Sequence, residues 1–170
     1  RCGTVGLKPT WGRVSRFGVL DLAQSLDHVG PLTRSTVDAA LTLQAIGGPD
    51  PRDPTTLCEP LPDLLAGVGE SIQGLRLGWD EMYATRDLAD DFAQAVHESL
   101  EVLERLGAKV VRLTMPERLR DYLEAWQVLC ATEAYEAHRA FYPERAEEYG
   151  PWFREWLRRG AGYSAADYAH

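Results

Sequence analysis

Residues 2–33 read CGTVGLKPTWGRVSRFGVLDLAQSLDHVGPLT, with Gly3, Gly6, Gly12, Gly18, Gly30, Pro9 and Pro31 set among short apolar runs. Glycine accepts backbone angles closed to other residues and lets a second backbone come close; proline fixes φ and donates nothing to a ladder. This punctuation predicts short strands broken by prescribed turns and folded tightly around a site. Residues 5–7 and 28–32 are the strand candidates, with Pro31 confining the second to an edge or a bend.

Working outward, Ser35 is a good helix N-cap with Asp38 in the first turn, and Val37, Ala40, Leu41 and Ile46 predict one apolar face before Gly47-Gly48 stops the helix. Five prolines between 49 and 62 predict a loop. Residues 74–79 read as a strand. Asp87 is placed to cap a helix whose Leu88, Phe92, Val96, Leu100, Leu103 and Leu106 recur every three or four positions. Gly107 ends it and 109–113 read as a second strand, which makes a βαβ unit over about 74–113 with parallel strands and a right-handed crossover. After Pro116 the chain turns mainly helical, with a seam of Leu119, Leu123, Trp126, Cys130, Ala134 and Phe141. Pro151 is expected in the first turn of a helix ended by Gly160, and Ser164 is expected to cap another. The fold class is therefore α/β, part of a mixed β-sheet covered by helices.

The 170 residues are 45% hydrophobic and 26% charged, the balance of an ordinary globular chain. No apolar run is long enough for a membrane helix. A net charge of −8 disfavours nucleic acid, whose phosphates call for clustered cations. Cys2, Cys58 and Cys130 are widely spaced and odd in number, which fits reduced, mostly buried thiols and a cytoplasmic setting.

The order GLKPTWGRVSR (6–16), SLDHVGPLTRS (25–35) and GPDPRDP (48–54) resembles the amidase signature family. The resemblance is specific over 1–54, weaker through the βαβ unit and weakest after 116. It implies a single incomplete domain fragment over 1–170, in which 1–54 is part of the signature core, and a parent enzyme that hydrolyses the C–N bond of small-molecule carboxylic amides. It also implies a Ser–cis-Ser–Lys triad lying before Arg1, so that no catalytic residue falls in this chain and the chain alone is inactive. No metal or organic cofactor is implied. The partner expected is a small-molecule amide, with no nucleic acid and no membrane, and unpaired sheet edges make a homo-oligomer possible. Two alternatives stand beside this reading: a non-catalytic α/β binding module, and the A subunit of a tRNA-dependent glutamine amidotransferase. The latter is expected to carry an asparagine- and tyrosine-bearing run near 131–153. The run found there, ATEAYEAHRAFYPERAEEYGPWF, departs from it and favours the small-molecule enzyme.

Among individual residues, the resemblance puts Glu133, His138 and Phe141 on the substrate-facing helix. It puts Asp27 and Arg34 beside the catalytic core, either supporting the site or forming a buried ion pair. Lys8 lacks the glycine before it and the hydroxyl after it that a phosphate loop needs, so a structural role is expected. Cys2 with His28 and Asp27 has the residue types of a thiol dyad, against which stands simple packing. The histidines and cysteines have no zinc-ligand spacing. Asp50 and Asp53, each beside proline, read as turn formers that bond their own backbone.

Overall fold

A computed structural model describes residues 2–116 and 118–170, the side chains of Leu119 and Arg120 excepted. The chain divides into two compact units, one of residues 1–68 and 121–170, the other of 69–120.

In the first unit, β1 (Val5–Gly6) pairs antiparallel with β2 (Leu32–Thr33), Val5 opposite Thr33. Gly30 permits this fold-back, since a Cβ there would stand 2.2 Å from the Leu7 carbonyl oxygen. Helix α1 (Thr36–Ile46) starts as the sequence predicts, with the Ser35 hydroxyl accepting from the Asp38 N–H at 3.1 Å. Its inward face is Ala39, Ala40 and Leu43, whereas Val37, Leu41 and Ile46 are exposed. Apolar residues lie all round this helix, and it packs on the β1–β2 pair.

Helix α4 (Leu119–His138) buries its second half, through Cys130, Ala131, Ala134 and His138. Of the expected seam, Leu123 and Trp126 are exposed, Phe141 lies beyond the helix and is exposed, and the Leu119 side chain falls outside the described ones. Helix α5 (Pro151–Gly162) meets α4 at Gly160, and its Leu157 is fully buried. Gly160 does not end the helix as expected. It is a notch: a Cβ there would meet the Ala131 carbonyl oxygen at 1.9 Å. Along this corner Trp126, Trp156 and Trp152 form a ladder of rings, with centroids 5.9 and 5.5 Å apart. Ser164 caps α6 (Ala165–Ala169) in a reciprocal box, its hydroxyl accepting from the Asp167 N–H while the Asp167 carboxylate accepts from the Ser164 N–H.

The second unit holds the βαβ arrangement. Strand β3 (Arg76–Trp79) runs parallel to β4 (Lys109–Arg112), Arg76 opposite Lys109. Between them in the chain lie α2 (Glu81–Thr85) and α3 (Asp90–Arg105). Asp87 does not cap α3. It sits at φ 60° between the two helices, Ala89 occupies the cap position, and Asp80 caps α2 by accepting from the Tyr83 N–H at 3.1 Å. Among the described residues the strands form one antiparallel and one parallel pair.

Candidate functional site

The glycine-punctuated segment carries Arg16 inward. Its N–H donates to Asp53 Oδ2 at 2.8 Å and the residue is only 7% exposed. The guanidinium lies 4.9 Å over the Trp11 ring, donates through Nη1 to the Gln24 carbonyl and through Nη2 to Thr55 Oγ1 at 2.9 Å. The Thr55 hydroxyl has a single hydrogen, which goes to Asp53 Oδ1 at 2.5 Å. It can therefore only accept from Arg16. The turn-forming aspartates do bond their own backbone, Asp50 to the Arg52 N–H and Asp53 to the Thr55 N–H, both at 3.0 Å. The Thr55 hydroxyl first, and then the Arg16 N–H, hold the Asp53 carboxyl below the usual carboxylate range.

From α4, Glu133 reaches the same region. Its carboxylate accepts from the Ser25 N–H at 2.8 Å, the Ser25 hydroxyl at 2.6 Å and the Tyr168 hydroxyl of α6 at 2.8 Å. Burial pushes this carboxyl up, but the donors together outweigh it and leave it below its usual range. One carboxylate so joins three segments far apart in sequence. Beside it lies an open cavity of about 630 Å³ lined by Trp11, Arg16, Ser25, Thr55, Glu133 and Tyr168 among others.

Of the residues singled out from sequence, Glu133 lines this cavity, while His138 and Phe141 are not among its lining residues. His138 turns toward α5, 5% exposed, with Nδ1 3.0 Å from the Tyr149 hydroxyl and Phe153 edge-on at 5.1 Å. Burial holds its pKa below the usual value. Phe141 is half exposed in the turn after α4. Asp27 Oδ2 accepts from the Leu22 and Ala23 N–H groups at 2.8 and 3.0 Å, which fixes the 22–27 turn. Arg34 is exposed, and among the described residues it forms no ion pair with Asp27.

His28 Nδ1 stands 2.6 Å from the Leu26 carbonyl and must donate to it, which leaves Nε2 to accept from the Lys8 ammonium at 3.3 Å. That occupies both ring nitrogens and gives Lys8 its structural role, so His28 is not the base of a Cys2 dyad. Cys2 and Cys58 are exposed and only Cys130 is buried, contrary to the expectation of mostly buried thiols. Sequence reasoning missed Arg16, Trp11, Thr55 and Tyr168. The one available signal was the proline-flanked Asp53-Pro54-Thr55 turn, which holds an acceptor in fixed geometry.

The chain matches the Amidase family model over residues 1–165. It is 42% identical over 141 residues to the A subunit of glutamyl-tRNA(Gln) amidotransferase from Geobacter sp. (strain M21), covering 83% of this chain and 29% of that relative. The corresponding protein of Salinibacter ruber is 45% identical over 141 residues, with 83% and 27% covered. The chain thus spans less than a third of the length of these relatives. Among solved structures, it superposes on the A subunit of the Thermotoga maritima glutamyl-tRNA(Gln) amidotransferase with a TM-score of 0.77 at 34% identity, over 99% of this chain and 36% of that one. A crystal structure of an amidase gives a TM-score of 0.77 at 30% identity, over 98% and 34%.

Proposed function

Because this chain belongs to the amidase family, the amidase signature enzymes, we propose that it forms part of a protein that hydrolyses a carboxylic amide through an acyl-enzyme. The observation that carries the reading is the family match across residues 1–165. In the proposed mechanism a Lys deprotonates a bridging Ser, which relays to a nucleophilic Ser. Attack on the amide carbonyl gives a tetrahedral oxyanion held by backbone N–H groups, the amine departs, and water cleaves the ester. Neither a metal nor an organic cofactor takes part in these steps. The present chain contributes a wall: the 630 Å³ cavity, whose Glu133 clamp holds the 25-loop, α4 and α6 together.

The substrate in this reading is a small-molecule amide. A second reading, the A subunit of a tRNA-dependent amidotransferase, is favoured by the relatives of that name at 42% and 45% identity. The test uses the full-length protein that contains this chain. A serine-directed fluorophosphonate should label it, and ammonia should be released from butyramide or succinamate with no partner protein present. Ammonia from glutamine alone, in a preparation that co-purifies with further subunits, selects the second reading. No labelling and no ammonia from any of the three overturns both.

A further inference from the structure

Arg16 carries a buried charge that no described carboxylate touches. It is 7% exposed, and the partners of its guanidinium, the Gln24 carbonyl and the Thr55 hydroxyl, are both uncharged. Among the described residues it forms no ion pair, and Asp53 and Glu133 feel it only at longer range. Its Nε and the neighbouring Trp11 Nε1 are both shut off from solvent with no acceptor. A buried cation without a paired counter-charge is costly, as is a buried donor left unmade. Its position in the fold is nonetheless over-determined: the backbone N–H is held by Asp53, and Nη2 by a hydroxyl that Asp53 itself orients. The residue also lines the 630 Å³ cavity.

The acidic side chains that share the cavity do not meet this demand. Glu133 is taken by Ser25 and Tyr168, and Glu136 pairs with Arg139 at 3.1 Å. Asp21 is the remaining lining carboxylate. It is more exposed than Arg16 and so more strongly screened, while a buried charge keeps its field.

We propose that Arg16 recognises a carboxylate on the substrate, so that the cavity selects amides carrying a negative group remote from the scissile bond. The assignment rests on the amide-hydrolase reading above. Thr55 and Asp53 are positioning residues in it, since they act through Arg16 and touch no substrate.

The experiment compares succinamate with butyramide, which have the same four-carbon skeleton and differ in a terminal carboxylate against a methyl, using the full-length protein. Wild type should show kcat/KM for succinamate higher by roughly tenfold or more, the gain expected of a charge-assisted hydrogen bond. Arg16→Gln should raise KM for succinamate by a larger factor than it changes KM for butyramide, and Arg16→Lys should restore part of the difference. Equal treatment of the two amides by wild type overturns the assignment without any variant, so it stands or falls even if Arg16→Gln does not fold. An equal loss on both amides in a folded Arg16→Gln protein also overturns it and leaves Arg16 a structural staple. If wild type cleaves neither these amides nor glutamine, it is the hydrolase reading that fails. Cleavage without a preference for the carboxylate sinks Arg16 alone.

Discussion

Replacing Gly160 by alanine sets two effects of opposite sign against each other. In an exposed helix interior the change is favourable, by about 1 kcal/mol of intrinsic propensity. Here the added Cβ would stand 1.9 Å from the Ala131 carbonyl oxygen and 2.9 Å from Tyr135 Cβ. Moving the first contact out to 3.0 Å requires α4 and α5 to part locally by about 1.1 Å. The obstacle is backbone, so no side-chain rotation relieves it. Overpacking of this kind costs about 1–3 kcal/mol, and separating the helices also loosens the contacts of Leu157, which is fully buried. We expect net destabilisation of about 2 kcal/mol, a fall in Tm of about 4–8 °C for a chain of this size. The control is Gly162→Ala on the same helix, where nothing lies within 4 Å of the new Cβ. That variant should be neutral or slightly stabilising in parallel urea titrations. A Gly160→Ala protein as stable as the Gly162→Ala one would refute the notch.

The remaining predictions concern the same corner. His138 is held below its usual pKa of about 6.5 by burial, so the unfolded chain takes up the proton first as pH falls. Its contribution to stability is complete above about pH 6.5 and is lost as pH drops through the window below. His138→Gln should flatten the pH dependence of the urea midpoint there, and an unchanged slope would contradict the burial. Leu157→Ala, at a fully buried position, should cost about 2–5 kcal/mol, while Leu123→Ala, at 63% exposure, should stay within about 0.5 kcal/mol. Similar urea midpoints for the two would contradict the burial of Leu157 in α5 and the exposure of Leu123 in α4.

The elements that announced themselves in sequence were those with local causes. The Ser35 cap, the Ser164 cap, Pro151 at a helix start and the strands around α3 all depend on neighbours within a few residues. Faces were harder to read. In α1 apolar residues point in every direction, so their spacing alone does not single out Ala39, Ala40 and Leu43 as the packed side. In α4 the first half is exposed, so the even spacing of Leu123 and Trp126 with Cys130 mixed two environments. Asp87 looked like a cap because α2 was not foreseen; with α2 in place the chain needs a reversal there, and Asp87 tolerates the left-handed region. The cavity could not be read at all. It gathers residues from 11–25, 55, 133–137 and 168, and no spacing along the chain records that Arg16 and Glu133 face one space. His138 and Glu133, five positions apart on one helix, project from different sides of it.

Three of the five tryptophans stand in a single ladder, Trp126, Trp156 and Trp152, with neighbouring rings within 6 Å. At such separations excitation hops between indoles faster than it is emitted, so these three rings emit as one coupled group at the α4–α5 corner. Loss of that energy transfer, followed as a rise in emission anisotropy, marks the moment the two helices come apart.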